Sequence, residues 1–556
     1  MKHSLKSIRA HQTAAAILIL AVLATGELAH ASTYVVYIPL DDPAYDEFET
    51  LTGLGVLNTY LDEIKPISRV EAARLILEAG KNSRESEQPN LLAESIISSL
   101  RHQFAEEVNW LEQNRENGRP TTIHPFTRIE IESLYSSGDR RYWQTQSPNS
   151  GLHAQEGTPL LPYNDGIPTA AGTNEVARMA GWAGASSILT FYGEGAVAGP
   201  MTHGIPDTNR LRLISGAAVI NLGNTAISFG EEQMAWGPCR FSLLAQGNNA
   251  EPFPAIRVQN VHPQLLPGFL KYLGQFRYQA FFGQLGGARY FSHPWIDGQI
   301  FSFKPLPALE FGITHTIMFG GAHNDNYSAL GFFGRATGFN TGSSNGANTN
   351  SRVGAYVSLV IPRLRRTQLY YEILGEDFFQ PFGKSFAVKT PFKSPSYTFG
   401  IYAPQLTADG LTDARAEYTV LDANYSVHND SLYWTNKNAL MGDSLGSGAW
   451  RVSAQVGRWF NYRNKLGAEF FYERRSMTEL VPASVGTHNE NGFGGAVDFM
   501  QLPFEANWLT GTLGQVRARS SVEYVQNINY STNSSIRMML MLSFSLNADA
   551  KHWNFR

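Results

Sequence analysis

The chain of 556 residues contains a single cysteine, Cys239. That excludes an intrachain disulfide and a multi-cysteine metal site. Charge is also sparse: Asp, Glu, Lys and Arg make up 17% of the residues and the net charge is −4. So small a balance gives no footing for nucleic acid. The 14 histidines are scattered and show no metal-ligand spacing such as H-E-x-x-H. Neither a metal nor a cofactor is expected. Long apolar runs are missing after the N-terminus, and a spanning helix needs ~20 such residues. If the mature chain enters a membrane, it must do so as strands.

Glycine, with 51 residues, and aromatics, at 12%, are abundant. A membrane β-barrel uses aromatics for interface girdles and glycine for tight turns. Residues 1–31 read as an export signal: Lys2, Lys6 and Arg9 are the charged start, Ala14 to Ala24 the apolar segment, and Ala29-His30-Ala31 the cleavage site. The apolar segment is too short to span a bilayer comfortably. No cysteine follows the cleavage site to carry a lipid anchor.

Residues 32–120 are expected to form a small three-helix periplasmic bundle. Asp41-Asp42-Pro43 suits a helix start, Tyr45, Phe48 and Leu51 recur at helical spacing, and Gly53-Leu54-Gly55 ends the run. Ser68-Arg69-Val70-Glu71 is a capping box opening a second helix, with Gly80 as its stop. A third stripe carries Leu92, Ile96, Leu100, Phe104, Val108 and Leu111.

From Thr127 the apolar period changes to two. Ile129 and Ile131 alternate with Arg128, Glu130 and Glu132; Val452, Ala454 and Val456 with Arg451, Ser453 and Gln455. Leu466, Ala468, Phe470 and Tyr472 likewise oppose Lys465, Glu469 and Glu473. A soluble β-sandwich alternates too. The export signal, the long strands and the Tyr, Phe and Leu on the apolar face favour a barrel. Short connections (Asn221 to Asn224, Pro362 to Arg366, Phe460 to Asn464) also alternate with long ones (Gly320 to Ser351, Asp377 to Pro395, Tyr425 to Ala449). The expected fold is thus mainly β: a large transmembrane antiparallel β-barrel of about 18 strands over residues 121–556. The last strand, Ser535 to Leu546, sets Ile536, Met538, Leu540, Leu542, Phe544 and Leu546 on one face.

One stretch interrupts the alternation, Ser228 to Val258. Trp236-Gly237-Pro238, Asn248-Asn249-Ala250 and Pro252-Phe253-Pro254 break any ladder, while Trp236, Phe241 and Phe253 are too apolar for an idle solvent loop. It reads as a long outer-side loop folded back as a plug. The stretch resembles the signature of the capsule-assembly Wzi family, outer-membrane β-barrels with a Trp-Gly-Pro-Gly step, then Asn-Asn-Ala and a Pro-x-Pro. Cys239 stands here where that step ends in Gly. Pro66 to Arg74, His293-Pro294-Trp295, Phe303-Lys304-Pro305, Gly375-Glu376-Asp377 and Ala414 to Thr419 are similar to further family landmarks. The resemblance implies an eighteen-stranded barrel and a lectin that attaches capsular or exopolysaccharide to the cell surface. It also implies outer-membrane lipid and the barrel-assembly machinery as partners.

Aromatic faces suit sugar rings, Arg suits acidic sugars and Asn suits hydroxyls, so Trp236, Arg240, Asn248 and Asn249 are the candidate glycan contacts. Turn-building competes as the role of the two asparagines. A porin or polysaccharide export channel is the alternative, because a barrel this wide conducts unless it is plugged. An outer-membrane hydrolase is more remote. Gly442-Asp443-Ser444-Leu445-Gly446 satisfies G-x-S-x-G but lacks the strand-turn-helix elbow that its chemistry needs. Glu231 and Glu232 are adjacent on a strand, so they point to opposite faces rather than forming a carboxylate pair.

Overall fold

Each alternating run ends at a reversal, and the chain therefore folds as an antiparallel meander. The computed structural model describes residues 34–548 apart from 87–88, 114–120, 145–152, 186–187, 201–210, 288, 290, 325–331, 333, 335–348, 377–392, 427–431, 477–487 and 506–511. The export signal at 1–31, the tail after Ala548 and most of the expected long loops at Gly320 to Ser351 and Asp377 to Pro395 lie outside the described residues.

The wall begins with β1 (Thr122–Ser137), β2 (Gly172–Ala185), β3 (Leu189–Pro200), β4 (Leu211–Leu222), β5 (Thr225–Glu231) and β6 (Pro254–Asn260). It continues through β7 (Gln275–Gln284), β8 (Trp295–Leu306), β9 (Leu309–Phe319), β10 (Thr349–Ile361), β11 (Thr367–Glu376) and β12 (Lys393–Ala403). It ends with β13 (Thr412–Leu421), β14 (Ala449–Phe460), β15 (Asn464–Arg475), β16 (Glu490–Gln501), β17 (Thr512–Gln526) and β18 (Ser535–Ala548). Each strand pairs with the next, and β18 pairs back onto β1, with Arg128 opposite Asn547 and Tyr135 opposite Leu540. The result is a closed barrel of 18 antiparallel strands.

Closure leaves no sheet edge, so every strand can satisfy its backbone within the wall. The faces divide as the alternation requires. Ile129, Ile131, Phe470 and Leu542 are exposed on the outside, while Glu130 and Arg537 are fully buried inside. Tyr371, Tyr397, Tyr418, Trp450 and Tyr472 follow one another across β11 to β15, their rings 5.3–6.4 Å apart. That outward row has the form of an interface girdle.

The helical segment sits at the short-turn end. Helix α1 (Ala44–Leu54) stops at Gly55, which takes the left-handed φ of 87°. Helix α2 (Arg69–Glu85) opens as expected, with Ser68 Oγ accepting from the Glu71 N–H at 3.1 Å. It does not stop at Gly80. That glycine is buried beside Ile97, and helix packing carries α2 on to Glu85. The third stripe is two helices, α3 (Leu91–Gln103) and α4 (Ala105–Glu112), so four helices stand among the described residues of this segment where three were expected. The break is at Phe104, whose backbone leaves helical geometry (φ −113°, ψ 28°) while its buried ring lies 4.9 Å from the Arg69 guanidinium.

These helices share a core with the barrel. Phe48, Leu51, Leu75, Ile96 and Leu100 are joined by Trp459 near the end of β14 and by Leu502 just after β16. Gly53 is needed at this junction, because a Cβ there would lie 2.2 Å from the Pro404 side chain. Arg366 and Gln405 hold the end of α1 by donating to the carbonyls of Thr52 and Gly53 at 3.1 and 2.8 Å.

Candidate functional site

Between α1 and α2 the chain rises into the lumen, where it meets the β5–β6 connection coming from the long-loop end. Ile64 and Lys65 pair antiparallel with Trp236 and Ala235, and the Gly237 N–H donates to the Glu63 carbonyl at 2.9 Å. The barrel is therefore filled from both ends, and the two fillings join as a short ribbon.

Gly237 and Pro238 explain why β5 gives way to this excursion. Gly237 has φ 115°, and a Cβ on it would lie 2.6 Å from Glu372 Oε2. Cys239 needs no left-handed backbone, so the turn accepts a side chain there. Its thiol packs with Tyr370 and Tyr402 and lies 3.6 Å from Glu372. Burial and the neighbouring carboxylates push that thiol well up, so it stays protonated.

Trp236 is 0% exposed. Its ring lies 5.5 Å from that of Phe281, and its Nε1–H donates to Gln279 Oε1 at 2.6 Å. Met234, Leu244, Phe253, Ile296 and Ile300 complete the surrounding core. Burying a side chain of this size contributes about 1.5–3 kcal/mol, enough to fix the loop's position. Trp236 therefore presents no surface to a soluble ligand. It braces the loop.

Arg240 remains partly exposed and pairs with Asp46 of α1. Burial pushes the Asp46 carboxyl up, but the Arg240 charge and hydrogen bonds more than offset this and hold it below its usual value. Glu417 of β13 accepts from the N–H groups of Arg240 and Phe241 at 2.7 and 3.0 Å and from the Tyr370 hydroxyl at 2.6 Å. Asn248 donates to the Tyr163 carbonyl and to Asp165, both at 2.8 Å. Asn249 accepts from the Tyr163 N–H at 2.8 Å and donates to the Gly442 carbonyl. The two asparagines thus stitch together three connections of the long-loop end: β1–β2, β5–β6 and β13–β14.

Arg240, Asn248 and Asn249 also line a cavity of about 480 Å³ between these loops, α1 and the wall of β13 to β18. Trp143, Tyr163 and Phe241 supply aromatic surface in it; Arg415, Arg451, Lys465, Asp413 and Glu469 supply charge. The charges are paired. Arg519 reaches Asp498 at 2.8 Å and Glu469 at 2.9 Å, and Lys465 reaches Asp413 at 2.7 Å. Such a surface offers many fixed donors and acceptors, as recognition of hydroxyl-rich chains requires, without a field of one sign.

Sequence reasoning placed the plug in the β5–β6 loop and missed the N-terminal contribution. Asp41 pairs with Arg128 at 2.6 Å and with Arg517 at 3.4 Å, and Glu49 pairs with Arg415. The available signal was the row of inward-facing arginines, which needed carboxylates from somewhere. The Gly442-to-Gly446 phrase lies in the β13–β14 connection. There Asp443 is fully buried and its side chain accepts from the Leu445 N–H at 2.7 Å. Glu232 pairs with Arg257 at 2.5 Å, apart from Glu231.

The family described as capsule assembly protein Wzi matches residues 143–536. Among solved structures, the chain is similar to Wzi of Escherichia coli, an outer-membrane protein involved in group 1 capsule assembly and a carbohydrate-binding β-barrel. The identity is 15% and the TM-score 0.64, over 92% of this chain and 100% of that one. OprD of Pseudomonas aeruginosa aligns at 9% identity and TM-score 0.41, over 76% of this chain and 93% of its own. OccAB1 of Acinetobacter baumannii aligns at 12% and 0.40, over 76% and 96%. No curated protein matches the sequence.

Proposed function

Because the chain belongs to the capsule assembly protein Wzi family, we propose that it is a non-enzymatic outer-membrane lectin holding capsular or exopolysaccharide at the cell surface. The observation that carries this reading is the filled lumen. Ile64–Lys65 and Ala235–Trp236 join the two fillings across the barrel, and a transport path would have to displace them. Retention needs only a binding surface on the cell's outer side. The carbohydrate binding of the Escherichia coli relative supports the choice of ligand.

Short turns of outer-membrane barrels face the periplasm. Helices α1 to α4 lie at that end, which supports a periplasmic location for residues 32–120 and a membrane location for 121–556 after cleavage of 1–31. Outer-membrane lipid surrounds the apolar belt, and the barrel-assembly machinery inserts it. The glycan contacts are then Arg240, Asn248 and Asn249 with neighbouring aromatics, and Trp236 fixes their frame.

The test is cell-bound against shed polysaccharide, with barrel levels checked in parallel. Arg240→Gln keeps the backbone bonds to Glu417 and should raise the shed fraction. Asn248→Ala with Asn249→Ala should raise it further, since each lost buried hydrogen bond costs about 1–3 kcal/mol of loop order. Normal retention in both variants, with the barrel correctly inserted, would remove this loop from the binding site. A pull-down of polymer on the detergent-purified protein provides the direct measurement.

A further inference from the structure

Where the rising N-terminal segment meets the wall, carboxylates outnumber their partners. Asp62 and Glu63 face Glu310 of β9, with one carboxylate oxygen of each lying within 4.8 Å of the others. Glu63 is 0% exposed, and neither of its side-chain oxygens has a hydrogen-bond partner. An orphaned carboxyl in a buried place is costly and calls for compensation. Glu310, also buried, accepts from Ser302 Oγ at 2.8 Å and lies 3.4 Å from Lys304 Nζ. That ammonium also donates to the Tyr60 carbonyl. Three acids therefore face Lys304, while the nearby Arg366 guanidinium is engaged on the Thr52 carbonyl. Beside them is a cavity of about 30 Å³, lined by Tyr60, Asp62, Lys304 and Glu310 and by Ala308 and Arg366 of the short turns. It has room for water, which occupies roughly 10–15 Å³ by this measure.

We propose that Asp62, Glu63 and Glu310 bind a divalent cation that fastens the N-terminal segment to the barrel wall. All three donors are hard oxygens, which favours Ca²⁺ or Mg²⁺ over the softer transition metals. Calcium is the better fit. Its bonds to oxygen run about 2.3–2.6 Å, so one ion spans oxygens separated by up to about 4.8 Å, and it accepts irregular geometry completed by water. The Tyr60 carbonyl is a further oxygen at the edge of the group. Lys304 competes for Glu310 and sets the affinity in the modest range. The ligands come from two segments far apart in sequence, so no spacing motif announces them.

The experiment uses the full-length protein in detergent, stripped with EDTA, dialysed, and titrated with CaCl₂ by calorimetry while thermal unfolding is followed in parallel. The expected result is one saturable site with Kd of about 10⁻⁴–10⁻³ M, a rise in Tm on saturation, and weaker binding of MgCl₂. Glu63→Gln and Glu310→Gln should each weaken binding at least tenfold. Lys304→Met should tighten it. Asp409→Asn, on an exposed short turn, should leave it unchanged. Absence of saturable binding at concentrations tenfold above that range would overturn the proposal. So would binding that survives Glu63→Gln, which keeps the shape of the site and remains informative even if Glu310→Gln fails to fold.

Discussion

Glu71 has two jobs at one position. Its backbone N–H donates to Ser68 Oγ, the half of the expected capping box that forms, a local pairing three residues apart that is legible in sequence. Its side chain makes two bonds to Arg74, at 2.7 and 2.8 Å, and approaches His262 Nδ1 at 2.9 Å. His262 belongs to the β6–β7 connection, 191 residues away, and no local pattern connects the two. Burial pushes the carboxyl up, but the Arg74 charge and the bonds from Arg74 and His262 outweigh it and hold it at about 2, below the ordinary 4.5. A depressed folded value stabilises above the ordinary pKa, and the contribution is lost as pH falls from 4.5 towards about 2. Linkage puts it on the order of 3 kcal/mol. Limited proteolysis of the helical segment should therefore be faster at about pH 3 than at about pH 6. Glu71→Gln should cleave more readily at the higher pH and lose most of the difference. Equal rates in the wild type at both pH values would contradict this account.

Strands were the most legible elements. Their alternation assigns the inner and outer faces of β14, of β15 and of β1 from Arg128 onward residue by residue, because a one-residue slip would turn every side chain to the other face. Only the irregularity between His124 and Arg128 departs from it in β1. Helix ends were less legible, since Gly80 and Phe104 owe their conformations to packing against other parts of the molecule. Docking of the helical segment was not legible at all. Asp41 reads as a helix-start acid, and Asp46 and Glu49 carry no signal of their own, yet the three pair with Arg128, Arg240 and Arg415. Only the closed barrel brings these partners together. The lipid-facing rows do not depend on the helices, so deleting residues 34–113 should still give an inserted barrel. The β5–β6 loop, however, would lose the ribbon with Ile64–Lys65. The deletion should then conduct in planar bilayers, while the full-length protein stays closed. Steady conductance by the full-length protein would instead place an open path beside the plug and revive the channel reading.

For the whole molecule, the governing constraint is that a bilayer offers no hydrogen bonds to backbone groups. The pairing of β18 with β1 meets it, from Arg128 with Asn547 to Ser137 with Met538. The interior adds a second layer of support. Arg141 draws Glu523 and Glu490 together at 2.8 Å each, and Arg537 pairs with Glu523 at 2.9 Å, so the neighbouring strands β16, β17 and β18 are tied along the inner face as well as through the sheet. Opening such a barrel must break many bonds together, which makes unfolding slow as well as unfavourable. SDS at room temperature should therefore leave the barrel compact, and boiling should unfold it and change its electrophoretic mobility. Carbonate or high salt should fail to release it from membranes, because the outward rows around Ile131, Phe470 and Leu542 are held by lipid contact rather than by charge. Replacing Leu540 and Leu542 with Asp on the outer face of β18 should abolish the compact band, since each charge at bilayer depth costs about 2–4 kcal/mol or somewhat less for Asp. If the compact band survives that double replacement, β18 does not face lipid, and the assignment of the barrel's outer surface fails with it.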